Sequence, residues 1–386
     1  MSTKISIVNV KEYESIPEAV ISAIKLIEND LGFDFRQSEK ILLKPNLLTS
    51  KKDACTQPAF VEGVISYLKE IGVPMGNVYL GDSPGQSEKI GSDVAKKIGI
   101  YEICEAYDIN FVDFESDVPI SEDVEDALWL KEIRVAKAVK DCDALINLPR
   151  LKSHLEATMT GAIKNYWGII PGGLKAHYHL YGKNAEQFGE VLADNFSWIV
   201  KNKPNRLIVY DLQEIMEGRF GPGGGSMKQW DLILVGTDDL ALDVVALEIG
   251  KVKIKNVPHV KNAIERNLGV GNLENIEILG MSLEEAKKQT PKFKVPGNRL
   301  TSFIAYMAGH IGYKIIKKIP ELLKDKCIKC GECAQNCPAE AIEFEENSFP
   351  IFLRKKCISC FCCAELCSEN AIKASTRGLS GLFHKY

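Results

Sequence analysis

Eight of the twelve cysteines fall into one spacing written twice. Cys327, Cys330, Cys333 and Cys337 read C-x2-C-x2-C-x3-C, and Cys357, Cys360, Cys363 and Cys367 repeat it thirty residues on. The agreement runs past the cysteines. Ala341 and Ile342 match Ala371 and Ile372 at the same offset, so the unit is an internal duplication. Three thiolates separated by two residues each can wrap a tight loop around one cubane cluster. The fourth then starts a helix and reaches across to the other cluster. The spacing predicts one [4Fe-4S] cluster on Cys327, Cys330, Cys333 and Cys367, and a second on Cys357, Cys360, Cys363 and Cys337. Cys362 fits no position of this register. Zinc is a poor alternative, because structural zinc sites need only four ligands and usually pair two knuckles across a longer gap. Disulfides would require a secreted chain, and the first twenty residues contain no apolar signal core.

The segment from about 322 to 373 resembles the bacterial two-cluster ferredoxins. Pro338 follows the fourth cysteine of the first motif as in that family, whereas Ser368 replaces the proline in the second. The resemblance implies single-electron transfer at low potential, in exchange with a redox partner protein. Four cysteines remain. Cys104 and Cys142 sit in apolar runs and read as small buried hydrophobes, and Cys55 and Cys362 complete the set. Free thiols of this number imply a reducing, cytoplasmic and anaerobic setting.

The rest of the chain is ordinary in composition, 45% hydrophobic and 26% charged, with a net charge of −4. No basic excess favours nucleic acid, and no run is long enough for a membrane span. The composition leaves the oligomeric state open. Strand-like runs recur at 5–10, 40–44, 77–82, 109–114, 143–149, 206–211, 231–236 and 275–280. Helical patterns fill 17–31, 58–72 and 239–250. Continuous apolar strands suit a sheet buried on both faces. The alternation predicts an α/β fold, a mostly parallel sheet with helices on both faces, over residues 1–280. Residues 281–320 read as a linker and an amphipathic helix, 321–375 as the cluster domain and 376–386 as a tail.

In such folds a ligand lies outside the carboxyl ends of the strands. Those ends present Lys44 and Asn46, then Asp82, Ser83 and Gly85, then Asn147, Arg150, Lys152 and His154, and finally Asp211 with a glycine-rich loop at 221–225. The densest stretch, 147–179, adds His177, His179, Thr160, Lys164 and Asn165. A helix over about 156–166 would place Thr160 and Lys164 on one face. Lys44, Asn46 and Asn165 are candidates for holding a small anionic substrate, and Lys164, His154 and Asp82 for acting on it. His154, His177 and His179 could together bind a metal. The glycine-rich loop is either a flap or a plain connection. No phosphate-binding or dinucleotide fingerprint is present.

The runs LLKPNLL, GDSPG, NLPRLKSH, TGAIKNYWGIIPG, EGRFGPGGG and DDLALDVVA resemble the domain-of-unknown-function family numbered 362, over residues 4–280. That resemblance supports the fold and the place of the site without supplying a reaction. Two functions follow. One is an electron carrier passing electrons between a partner and the α/β domain or its ligand. The other is a reductive enzyme with a substrate or metal at the strand ends.

Overall fold

The computed structural model describes residues 2–85, 91–172, 174–182, 184–218, 225–296, 318–369 and 371–376. Its strands, in chain order, are β1 (Thr3–Asn9), β2 (Ile41–Lys44), β3 (Val78–Asp82), β4 (Asn110–Asp113), β5 (Pro119–Asp123), β6 (Glu132–Ala136), β7 (Ala144–Asn147), β8 (Arg150–His154), β9 (Thr158–Thr160), β10 (Arg206–Glu217), β11 (Ser226–Gly236) and β12 (Ile276–Gly280). β5 and β6 form a separate hairpin. The other ten make one sheet in the order β12-β1-β11-β10-β7-β2-β3-β4, with β8 alongside β10 and β9 alongside β8. β11 runs against both its neighbours, while β2, β3, β4, β7 and β10 are mutually parallel.

The apolar runs of the strands have a direct cause. Side chains alternate between faces along a strand, and here both faces are covered. Leu42, Leu145, Tyr210 and Leu234 enter one core, which also takes residues of the helices Ala185–Asn202 and Asp239–Ile249. Leu43, Ile146, Val209 and Val235 enter the other, with the helices Ile16–Lys25 and Pro58–Glu70. The fold is α/β with a mostly parallel sheet, as the sequence predicts.

Two expectations are corrected. Residues 281–296 are not a linker. A helix at Leu283–Gln289 starts on a full capping box at Ser282 and buries Ala286. Phe293 then packs edge-on against Trp230. The expected helix at 156–166 is instead β9, a turn, and a short helix at Ala162–Asn165. Thr160 lies on the strand and Lys164 on the helix, so they do not share a helical face. The glycine-rich loop at 219–224, the amphipathic segment at 301–317 and the tail at 377–386 lie outside the described residues. Among the described residues no helix is long and apolar enough to cross a membrane.

The C-terminal unit shows the duplication as internal symmetry. Strand β13 (Lys318–Leu322) pairs with β16 (Ile372–Thr376), and β14 (Ile342–Glu343) with β15 (Ile351–Phe352). The repeated alanine has a task in each half. Ala341 N–H donates to Cys337 Sγ and Ala371 N–H to Cys367 Sγ, both at 3.2 Å.

Candidate functional site

The chain lays β2, β3 and β4 outward in one direction, then returns to place β7 on the other side of β2. The gap between β2 and β7 is therefore a topological switch point, where open α/β sheets hold their ligands. The register puts Lys44 beside Asn147 at this gap and Asp82 beside Asp113 one strand on.

Five side chains are tied head to tail across the switch point. Lys152 Nζ donates to Asn46 Oδ1 at 2.6 Å, and Asn46 Nδ2 to Asn165 Oδ1 at 2.9 Å. Asn165 Nδ2 donates to Asn147 Oδ1 at 2.7 Å, and Asn147 Nδ2 to Asp239 Oδ1 at 3.0 Å. Every donor points from the ammonium toward the carboxylate, so the amide dipoles reinforce one another. Asp239 also accepts from Tyr166 OH at 2.8 Å and pairs with Arg206 Nε at 3.0 Å.

Lys44 and Asp82 form a second buried unit. Lys44 Nζ lies 2.7 Å from Asp82 Oδ1 and donates to the Pro45 carbonyl at 2.8 Å. Asp82 Oδ2 accepts the Leu47 N–H at 2.6 Å. Burial pulls the Lys44 amine down, and Asp82 opposes that pull. Gly168 closes over the pair. Its carbonyl accepts the Ser83 N–H at 3.1 Å, and a Cβ there would collide with Asp82 Oδ1. Lys175, buried beside them, bonds the Ser83 and Pro84 carbonyls, and burial brings it to about 8.

Lys152 is the unusual cation. It is fully buried, and it donates to two neutral acceptors, Asn46 Oδ1 and the Ala54 carbonyl. Burial pulls its amine from the ordinary value near 10.5 to about 7, and Arg150 and Lys164 push the same way. Between those values the folded chain binds fewer protons than the unfolded one, so stability rises with pH from about 7 to 10.5. Lys152→Met should flatten that rise. Melting temperatures of both proteins across this range check the prediction, and parallel curves would contradict it.

The candidate residues separate into groups. Lys44, Asn46, Asp82 and Asn165 meet at the switch point. Lys164 is nearly buried and lies close enough to Lys152 to act on it. His154 is fully buried at the β8–β9 turn, where its Nδ1 accepts the Glu156 and Ala157 N–H groups at 3.2 and 3.1 Å. His179 Nδ1 meets Glu156 Oε2 at 3.0 Å and its ring stacks on Phe188, while His177 is exposed. The three histidines are not gathered as ligands. Among the described residues no three His, Cys, Asp or Glu side chains converge on a single ion. Sequence reasoning passed over His259. It is fully buried near His154 and Lys164, and burial holds it down to about 3.

The thiols gather in two sets. Cys333 has Cys330, Cys367 and Cys327 within electrostatic reach, and those four line one cavity with Pro350 and Leu322. Cys337 has Cys360 and Cys357, and Cys363 has Cys360, Cys333, Cys357 and Cys337. Burial and mutual repulsion push the Cys333 thiol up to about 12. Such a crowd of thiols ionises together only around a positive core, and a cubane spreads its ligands around a volume rather than a point. Thiols gathered in this way suit iron–sulfur binding, in keeping with the chemistry of the spacing.

The cluster unit sits on the strand-end loops of the sheet. Phe361, Cys363, Ala364 and Ile372 share a buried apolar cluster with Leu155 of the β8–β9 turn. Cys360 lies within electrostatic reach of His179 and Glu156, and Cys367 of Lys51. A Cβ on Gly85, just after β3, would lie 3.4 Å from Leu366. Phe361 shows what the docking costs. It occupies the place of Gly331 in the first half, and both are left-handed, at φ 61 and 80. A non-glycine residue there loses roughly 1–2 kcal/mol, and the buried ring offsets it. Phe361→Gly should keep the clusters but loosen the seat, with faster hydrogen exchange at 153–160. Unchanged exchange would remove Phe361 as the anchor.

A mostly parallel sheet with a topological switch point and a duplicated cysteine unit define an α/β protein carrying an iron–sulfur module. Residues 41–248 match the family described as domain of unknown function (DUF362), and the chain belongs to it. Residues 320–343 match a 4Fe-4S binding domain. The chain is 31% identical over 276 residues to a thylakoid-associated protein of Synechocystis sp., covering 70% of this chain and 81% of that one. Its cluster region is 33% identical over 76 residues to pyruvate synthase subunit PorD of Pyrococcus horikoshii, covering 18% of this chain and 66% of that subunit. The lactate racemase apoprotein of Thermoanaerobacterium thermosaccharolyticum aligns over 65% of this chain and 57% of its own, with a TM-score of 0.42 and 13% identity. The 4Fe-4S binding domain supports an iron–sulfur electron-transfer role.

Proposed function

We propose that this chain carries two [4Fe-4S] clusters and passes single electrons between a redox partner and a ligand held at the strand ends of the α/β unit. Cys327, Cys330, Cys333 and Cys367 hold one cluster, and Cys337, Cys357, Cys360 and Cys363 the other. The clusters supply low-potential one-electron transfer, one electron each. The observation that carries this reading is the seating of the second thiol set. Cys360 and Cys363 are buried where the Leu155 turn and the His179–Glu156 pair meet the cluster unit. A carrier that served only external partners would have no reason to bury one set against a ligand crevice. Twelve cysteines with no disulfide among them suit a reducing compartment. The test is anaerobic isolation with iron, sulfide and EPR analysis. About eight irons and eight sulfides, with two interacting paramagnets on reduction, are expected. Zinc, or about four irons after full reconstitution, overturns the assignment.

Lys152 favours a second reading, a reductive enzyme. Reducing a bound carbonyl or similar group takes two electrons and two protons. The clusters would supply the two electrons, Lys152 would give one proton and water the other. Lys44, Asn46, Asn165 and Lys164 would hold the small anionic substrate, with Asp82 fixing Lys44 and His154 offering Nε2. Phosphate and a series of small carboxylates can be screened against the full chain by thermal shift. At least one should raise the melting temperature of the wild type but not of Lys164→Ala. Equal shifts in both proteins remove this segment from the site.

A further inference from the structure

The two thiol sets differ in exposure. Cys360 and Cys363 are buried, whereas Cys330 is exposed. Beside Cys330, Ile328 is 63% exposed, and Ile351 is 61% exposed next to Pro350, which lines the same cavity as Ile328. Two lysines frame this apolar spot. Lys324 Nζ stands 5.5 Å and Lys329 Nζ 4.8 Å from the centre of the Phe349 ring. Both ammonium groups are thus held within cation–π range of one ring. Neither lysine enters an ion pair among the described residues. With Lys326 and the one carboxylate Asp325, the run 324–329 has a net charge of +2. The cluster unit as a whole has no basic excess: Glu332 and Glu369 line the same cavity as Lys329, and Glu340, Glu343, Glu345 and Glu346 follow the first cysteine motif.

We propose that the face formed by Ile328, Cys330, Lys324 and Lys329 is the docking surface for an acidic one-electron carrier protein. This rests on the two-cluster reading above. An exposed apolar centre with a charged rim is the usual anatomy of a transient interface. A positive rim selects a negative partner and speeds the encounter. The partner then meets the exposed thiol set, while the buried set faces the crevice, so electrons have an outer and an inner end to their path. The surface is small, which suits a short-lived complex that must release after one electron.

The experiment uses the anaerobically reduced full chain in a stopped-flow instrument. The acceptors are an acidic flavodoxin and a basic cytochrome c, at low and high salt. Electron transfer to the flavodoxin should slow several-fold as salt rises, and the cytochrome should show no such loss. The double variant Lys324→Glu, Lys329→Glu should slow the flavodoxin reaction at least tenfold at low salt and speed the cytochrome reaction. Iron content, measured on both proteins, separates the two ideas. Too little iron in the wild type overturns the cluster reading. Full iron with a flavodoxin rate that ignores both salt and the double variant overturns the docking surface alone.

Discussion

Cys363→Ser loses one cluster or converts it to a form with fewer irons, and iron per chain falls by up to about half. Cys362→Ser keeps the wild-type iron content and the wild-type reduced EPR spectrum. The neighbours differ in sequence position by one and in expected effect by a whole cofactor. The first reason is register, since only Cys363 completes C-x2-C-x2-C-x3-C with Cys357, Cys360 and Cys367. The second is surroundings. Cys363 has four thiols of the two sets around it, including Cys337 from the first motif. Cys362 opens the short helix Cys362–Glu365 and bonds to Cys360. Iron assays and EPR on both variants decide the matter, and an exchange of behaviours would show the register to be wrong.

Asp82→Ala destabilises the α/β unit by roughly 3–5 kcal/mol, the usual cost of leaving one half of a buried ion pair without its partner. Lys44 is fully buried, and its remaining acceptor is the neutral Pro45 carbonyl. The Leu47 N–H loses its acceptor as well. The double variant Lys44→Met, Asp82→Leu should recover much of the loss, because two apolar groups leave no charge stranded. Urea unfolding under anaerobic conditions, followed by tryptophan fluorescence, measures both. A single variant within about 0.5 kcal/mol of wild type, the range of an ordinary surface change, would falsify the account of this pair as a closed unit.

Much of the fold was legible because the sheet is covered twice. A strand that feeds Leu145 to one core and Ile146 to the other must be apolar throughout, and such runs stand out in a sequence. The ferredoxin-like spacing was legible for a related reason, since a duplicated loop leaves a duplicated pattern. The turn after β8 was not legible. It places Thr158 at φ 72 with no glycine or asparagine to mark it, so a helix looked the better continuation. Residues 281–296 read as a linker because they are polar and hold two prolines, yet a capping box and the single aromatic Phe293 are enough to fix them. The chain from Lys152 to Asp239 was hidden differently. Asn46, Asn147 and Asn165 could be named as strand-end candidates, but not their linkage, because Asn147 meets Asp239 from 92 residues away. Lys152 could be placed at a strand end, but its depth could not, and depth is what lowers its amine.

The crossed pairing proposed for the cysteines would set a timetable for synthesis. Residues 327–333 emerge from the ribosome early in the C-terminal unit, yet on the proposed assignment they wait for Cys367. Cys337 waits in the same way for Cys357, Cys360 and Cys363. The second set is complete when residue 363 appears, and the first only four residues later. By then the platform up to residue 296 has long been made. The cell is thus spared a long-lived half-loaded nascent chain: iron delivery becomes one late event, on a surface that is already waiting for it.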